Sequence, residues 1–212
     1  MNTMGKKYHN NKEKSKREIK SGFTIIELII VLAVFFVVIG GAVGIFISMI
    51  QQQRKVLSEQ ELLNQTTYIE EYMSRLIRAV AIDPTGSCLG SNGVNYPGYY
   101  YLLTHYDSAL GFYQGIKFIS NANVCEEFFL DTDGVLKEIK DSGMPQNILS
   151  SRFTIDHARF VINGDKNLIG ASNNDLIQPR VTILLDIQNQ IDGAQQEKII
   201  QTTVSQRKLN LQ

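Results

Sequence analysis

One uninterrupted apolar run decides most of what this chain can be. Leu28 begins and Ile47 ends a stretch of 20 residues without a charged or polar side chain. A helix needs about 20 such residues to cross the hydrocarbon core of a bilayer. A secretory signal peptide fits less well, because its apolar region is shorter and a small-residue cleavage site follows it. The run therefore predicts a transmembrane helix.

A single carboxylate, Glu27, directly precedes this run. An ionised group at the edge of a membrane span costs several kcal/mol unless a partner compensates it, so it indicates a functional role. Thr24-Ile25-Ile26-Glu27 also matches the S/T-x-x-E capping box, and an acid in the first turn favours the helix macrodipole. The two roles are compatible, and both stay open for this residue.

Charge is spread unevenly along a chain whose formal net charge is zero. Residues 1–22 hold seven basic and two acidic side chains, a net charge of +5. Under the positive-inside rule, such an arm stays in the cytoplasm and the C-terminal part crosses the membrane. Arg54 and Lys55 oppose this orientation with only two charges. A nucleic-acid-binding arm is the alternative, but the position beside a span favours topology, and no nucleic-acid partner is expected.

The apolar run continues into a second helical segment. Residues 51–82 contain no Pro or Gly, and Asp83-Pro84 ends the pattern. Apolar residues three, four or seven apart form one stripe, made of Leu62, Ile69, Met73, Leu76, Ile77 and Val80. The sequence predicts one helix over residues 23–82, roughly 90 Å long. Residues 23–50 form its transmembrane half, and residues 51–82 form an amphipathic half that covers a globular domain.

Residues 83–212 change in texture to short runs rich in β-branched and aromatic side chains. Seven candidate strands span 99–104, 113–119, 124–130, 135–140, 153–162, 180–188 and 197–206. Asp131-Thr132-Asp133-Gly134 separates two of these runs and is typical of a hairpin turn. The sequence predicts an α+β fold, with one long helix packed on an antiparallel sheet domain outside the cytoplasm.

The N-terminal segment also carries a family likeness. Ser21-Gly22-Phe23-Thr24-Ile25-Ile26-Glu27-Leu28 resembles the cleavage and methylation motif of type IV prepilins and of type II secretion pseudopilins. The resemblance implies a leader that ends at Gly22 and is removed by prepilin peptidase. It implies N-methylation of Phe23 by the same enzyme, and pairing of Glu27 with the α-amine of a neighbouring Phe23 during assembly. The proline that often kinks the helix of this family is missing here.

The resemblance further implies a structural subunit with a pilin-like fold. Ser74-Arg75-Leu76-Ile77-Arg78-Ala79 and the segment 200–207 are similar to the minor pseudopilins called J and the minor pilins called W. The expected partners are prepilin peptidase, other pilin or pseudopilin subunits, the assembly machinery and the cytoplasmic membrane. No enzymatic activity and no cofactor are expected. The alternative is a membrane-anchored extracytoplasmic domain with binding or enzymatic activity that does not polymerise.

Other candidate sites are weaker. Cys88 and Cys125 are the only cysteines, and a disulfide in an oxidising compartment and two separate buried thiols are equally favoured. Asp131 and Asp133 could begin a calcium loop, but Asp-rich turns with Gly are far more often simple turns. His9 lies in the predicted leader, and His105 and His157 have no Cys or Glu at metal-ligand spacing. No catalytic motif occurs, so no metal or catalytic residue is predicted.

Overall fold

The structure is a computed structural model that describes residues 22–90, 93–164, 177–189 and 196–207. The predicted leader, apart from Gly22, lies outside these residues. The chain forms two compact units, Met1–Ile50 and Gln51–Gln212. Among the described residues of the first unit, the structure is helical from Ile25 onwards, and all side chains before Ile50 are exposed.

The long helix α1 spans Ile25–Arg78, a length of 54 residues. Its apolar segment is long enough, and apolar enough, to cross a membrane. The prediction that the helix continues to residue 82 was wrong by four residues. Val80–Ala81 instead forms a short strand, β1, which pairs with Ser120 and Ile119 of a later strand. Backbone pairing with that strand ends the helix before Asp83.

Seven of the eight strands that follow occupy the predicted runs with small shifts at their ends, and the short strand Gln146–Asn147 was not predicted. The eight are β2 (Tyr101–Asp107), β3 (Phe112–Ser120), β4 (Cys125–Leu130), β5 (Leu136–Lys140), β6 (Gln146–Asn147), β7 (Phe153–Asn163), β8 (Arg180–Asn189) and β9 (Gln196–Ser205). Within the described residues they form two antiparallel sheets where one was predicted. The first has the order β1-β3-β4-β5-β6, with β2 also paired to β3, and the second has the order β7-β8-β9.

The C-terminal half of α1 and both sheets share one hydrophobic core. The helix contributes Leu62, Ile69, Met73 and Ile77, close to the predicted stripe. The largest fully buried side chains from the strands are Tyr101, Phe118, Phe128, Phe153, Phe160, Ile116, Leu136 and Ile155. Successive side chains of a β-strand point to opposite faces of the sheet. In β8, Val181, Ile183, Leu185 and Ile187 therefore share one face of the second sheet, and they are buried there. The α+β layout expected from the sequence is therefore present.

Polar contacts attach the helix to the strands around this core. The Tyr72 hydroxyl donates to Glu138 Oε1 at 2.8 Å and lies 2.9 Å from Oε2. Asn189 Nδ2 donates to Ser58 Oγ at 2.8 Å. The Tyr101 hydroxyl donates to the carbonyl oxygen of Ile77 at 2.8 Å. These bonds satisfy side chains that packing would otherwise leave without partners.

A disulfide joins Cys88 to Cys125, with the two Cα atoms 5.6 Å apart. Of the two states that the sequence left open for these cysteines, the structure has the bonded one. The bond links the loop after β1 to the start of β4 and closes a segment with a sequence separation of 37. Such a cross-link restricts the unfolded chain and is worth about 4 kcal/mol for a loop of this length.

Candidate functional site

Among the described residues, nothing packs against the junction between Gly22 and Phe23. Both residues are exposed, and the Phe23 side chain keeps 76 % of its accessible surface. A Cβ atom added to Gly22 would meet nothing within 4 Å. No packing within the described chain therefore demands glycine at this position, and its backbone is accessible to another protein.

Thr24 caps the N-terminus of α1. Its carbonyl oxygen accepts bonds from the N–H groups of Glu27 at 3.1 Å and Leu28 at 3.2 Å. Its hydroxyl oxygen also lies 3.4 Å from the Glu27 N–H group. This arrangement places Thr24 at the N-cap and Glu27 at the third helical position, as the capping-box pattern requires.

The Glu27 carboxylate takes no part in this cap. A complete capping box needs a second bond, from the N-cap N–H group back to the acidic side chain. In the part of the chain that the structure describes, the exposed Glu27 carboxylate makes neither that bond nor an ion pair. Capping therefore leaves its acceptor oxygens and its charge available for another partner.

The helix surface that follows Glu27 is uniformly apolar and exposed. Side chains on every face of the helix stay accessible, among them Phe35, Phe36, Val37 and Ile45. Three glycines, Gly40, Gly41 and Gly44, have nothing within 4 Å of an added Cβ atom. A helix that is apolar all round is stable in lipid or inside a bundle of other helices, and not in water.

Asp131, the first residue of the candidate calcium loop, forms a hydrogen bond and an ion pair within the chain. Asp131 Oδ1 accepts from the Thr132 N–H group at 2.7 Å, and Asp131 Oδ2 pairs with the Lys137 ammonium. The bond from Lys137 and the Thr132 N–H bond hold the pKa of this carboxyl below its usual value. Asp133 is exposed. Among the described residues, no group of three or more His, Cys, Asp or Glu side chains gathers to hold a metal ion.

A groove that the sequence analysis did not predict lies within the second unit, between α1 and the outer strand β9. It has a volume of about 1290 Å³. Arg75 and Arg78 of α1 line it together with Thr203, Ser205 and Arg207. The sequence signal, a set of basic residues in two segments more than 120 positions apart, acquires meaning only when the order of the strands is known.

No protein-family model, curated protein or solved structure matches this chain. The assignment of a function therefore depends on its own residues and their geometry.

Proposed function

We propose that this chain is a structural subunit of a type IV pilus or a type II secretion pseudopilus. One observation carries the proposal. Among the described residues Glu27 has no side-chain partner, and it stands at the start of an exposed apolar segment of α1, four residues after Phe23 of the Gly22-Phe23 junction. The resemblance of residues 21–28 to the prepilin motif explains why one chain would combine an accessible cleavage point, a lone acid and a helix suited to lipid.

Processing would begin at the open junction. A prepilin peptidase that cuts the peptide bond after Gly22 adds water across it, which leaves a carboxylate on Gly22 and an α-amine on Phe23. The same enzyme would then transfer a methyl group to that amine from a separate methyl donor, and the amine would release a proton. Since α1 starts at Ile25, the new N-terminus lies within one turn of the helix and close to Glu27 along the chain.

Assembly would then bring the acid and an amine together. When subunits pack through their apolar helices, water is excluded and an unpaired Glu27 becomes expensive. The α-amine of a neighbouring Phe23 removes that cost. Because only one axial offset between two helices brings the two groups together, the pair would select the register of each added subunit.

Membrane orientation follows from the charge pattern. The net charge of +5 in residues 1–22 favours an N-terminus that remains in the cytoplasm. The sheet domain would then lie outside the cytoplasm, where the Cys88–Cys125 disulfide is stable. We further propose a minor, J-like or W-like subunit, on the sequence similarity of residues 74–79 and 200–207.

Cleavage is tested by expressing the full chain with a prepilin peptidase in bacterial membranes and measuring the mass of the product. We expect loss of residues 1–22 and one added methyl group on Phe23. Gly22→Val should block the cut, while Gly41→Val should not, although an added side chain has room at both positions. An unshortened wild-type chain, or equal cleavage of the Gly22→Val variant, would contradict the proposal.

The role of Glu27 is tested with two substitutions that separate charge from capping. Glu27→Gln keeps a capping-box residue but removes the charge, and Glu27→Ala removes both. Cross-linking between neighbouring N-terminal helices should fall at least tenfold, roughly, in both variants, because each loses the ion pair. If Glu27→Gln assembles as well as wild type, the charge of Glu27 is not needed for assembly and the pairing role is wrong. A cleaved chain that never cross-links would favour the anchored domain that does not polymerise.

A further inference from the structure

Strand β9 forms an open edge of the second sheet. It pairs with β8 over ten residue pairs, from Arg180↔Ser205 to Asn189↔Gln196, without a register shift. In the described part of the chain no strand pairs with its other side. An edge of this kind presents unpaired N–H and C=O groups that can bind another extended chain.

The hydrogen-bond phase of β9 identifies those unpaired groups. The Gln206 N–H group donates to the carbonyl oxygen of Pro179 at 2.9 Å, which continues the β8–β9 ladder by one pair. Bonded and non-bonded pairs alternate in an antiparallel ladder. The backbone groups that point away from β8 therefore belong to Ile199, Gln201, Thr203 and Ser205.

Arg207 supports this phase. It lies four residues after Thr203, so its backbone groups should point to the same side as those of Thr203. Its N–H group points away from β8 and donates to the carbonyl oxygen of Arg78, at the end of α1, at 3.1 Å. The free edge of β9 therefore faces the C-terminal part of α1. The groove of about 1290 Å³ lies along this edge, with the helix as its other wall.

The edge lacks the usual protection against pairing. Natural edge strands carry charged residues, prolines or bulges that discourage an added strand. Residues 201–205, with the sequence Gln-Thr-Thr-Val-Ser, contain no charge or proline, and their pairing with β8 has no bulge. Charged residues on β9 occur only at Glu197 and Lys198, near its other end.

The groove has a charge polarity that restricts its occupant. Arg75, Arg78 and Arg207 line it near the C-terminal end of β9, and Glu70 and Glu71 line it one to two helical turns earlier. Within the described residues none of the three guanidinium groups forms an ion pair, although Arg75 lies over the Tyr72 ring at 5.7 Å. An occupant with an acidic end at the arginines would complete this arrangement.

We propose that the groove binds an extended segment of a different protein chain, acidic at its N-terminal end and basic at its C-terminal end, which adds to β9 as a further strand. The antiparallel direction places an acidic N-terminal end of the segment at the arginines and a basic C-terminal end near Glu70 and Glu71. A second copy of this chain fits less well, because its β9 edge is flanked by its own helix and arginines. The surface uses neither Phe23 nor Glu27, so this proposal and the proposed function fail independently.

The probe is the acetylated, amidated peptide Glu-Val-Thr-Val-Thr-Lys, added to the full chain in detergent micelles and followed by amide hydrogen exchange in NMR. The amides of Gln201 and Thr203 should become protected, whereas those of Thr202 and Val204, already bonded to β8, should not change. A peptide with Lys in place of Glu should bind roughly fivefold more weakly, since it loses one exposed charge pair. No protection at millimolar peptide overturns the proposal.

Variants separate the two features of the groove. Thr203→Pro removes an N–H group that β8 does not use, so it should lower peptide affinity about tenfold. Thr203→Val keeps that N–H group and is the matched control. Arg207→Glu should weaken binding about fivefold, and Lys198→Glu, outside the groove, should not. Equal affinity of wild type, Thr203→Pro and Arg207→Glu would refute strand addition. Protection without peptide that rises with protein concentration would identify a second copy as the occupant and refute the proposal equally.

Discussion

Asp83 illustrates how much a single buried carboxylate organises. Its side chain is fully buried. Oδ1 accepts from the N–H groups of Thr85 at 3.2 Å and Gly86 at 2.8 Å, and Oδ2 accepts from those of Cys88 and Leu89, each at 2.9 Å. Burial alone would raise the pKa of the Asp83 carboxyl, but these four donors outweigh it and hold the pKa below its usual value.

Asp83→Ala should therefore lower the free energy of unfolding by about 3 kcal/mol, because four buried N–H groups lose an ionised acceptor. The contribution is complete above the pKa of the unfolded chain, near 3.8, and is lost as the pH falls through the lower folded pKa. Thermal unfolding followed by near-UV circular dichroism, at about one measurement per pH unit between pH 2 and pH 7, measures the loss of stability and its dependence on pH. A variant as stable as wild type at neutral pH would contradict this role.

Glu126 of β4 presents the opposite case. It is 5 % exposed, and its Oε2 atom has no hydrogen-bond partner. Burial raises the pKa of the Glu126 carboxyl, and Lys140 only partly opposes this, with Glu138 and Asp141 adding repulsion. Ionisation of this residue therefore weakens the fold as the pH rises from the unfolded pKa through the higher folded pKa.

Glu126→Gln should remove that penalty. At neutral pH we expect a gain of about 1 kcal/mol, or about 3 °C in melting temperature for a chain of this size. Well below the unfolded pKa of 4.5, the Glu126 carboxyl is protonated and uncharged in both the folded and the unfolded wild type. The charge difference from Gln is then gone, so the variant and the wild type should melt together. A gain of equal size at acidic and neutral pH would assign the effect to packing instead of charge.

At the scale of elements, Tyr72 is the main polar contact between α1 and β5. Its hydroxyl bonds the largely buried Glu138, and Lys140 Nζ donates to the same hydroxyl at 3.2 Å and pairs with Glu138 at 3.1 Å. Tyr72→Phe should lower the free energy of unfolding by about 2 kcal/mol, since a bond to a charged acceptor is lost.

Tyr68 offers the matched control for that substitution. It stacks on Tyr72 with ring centroids 5.9 Å apart, but it lies one turn earlier and is 54 % exposed. Tyr68→Phe should change the melting temperature little, by an amount equivalent to at most about 0.5 kcal/mol. Equal losses from both substitutions would show that the hydroxyl bond to Glu138 is not what holds the helix against β5.

Periodicity explains which elements were predictable. The helix stripe at Leu62, Ile69 and Met73 and the alternation in β8 are repeated signals, and the structure contains both elements. Val80–Ala81 and Gln146–Asn147 are two-residue strands, too short for any period to emerge. Val80 in particular continues the helical stripe in sequence, so only its pairing with Ser120 reveals that it belongs to a sheet.

At the scale of the whole molecule, features that are contiguous in sequence could be predicted, and features that depend on the order of the strands could not. The Gly22-Phe23 junction, Glu27 and the apolar run are contiguous, so the sequence alone defines the candidate processing and assembly segment. The groove beside β9 depends on sheet order, which brings Arg207 to the end of α1 at Arg78. The hydrophobic pattern of a strand specifies which face is buried but not which strand lies beside it.

The second unit should fold without the first. The fragment of residues 51–212 contains every core residue of the helix, because the first buried one is Leu62. We expect this fragment to be soluble, to keep the Cys88–Cys125 disulfide, and to unfold in one cooperative transition by circular dichroism. The physical reason is that the apolar surface of residues 28–47 contributes nothing to the core of this unit.

A shorter fragment of residues 67–212 should be less stable than the fragment of residues 51–212. It loses Leu62, which is 2 % exposed, together with the bonds from Asn189 to Ser58 and from Arg152 to Glu61. Burial of one leucine and these bonds together stabilise the unit by about 3 kcal/mol, so its melting temperature should fall by about 10 °C. If both fragments melted at the same temperature, the first turns of the amphipathic half would be a spacer and not part of the core. If the longer fragment failed to fold, stability would require the apolar half of α1, which its full exposure gives no reason to expect.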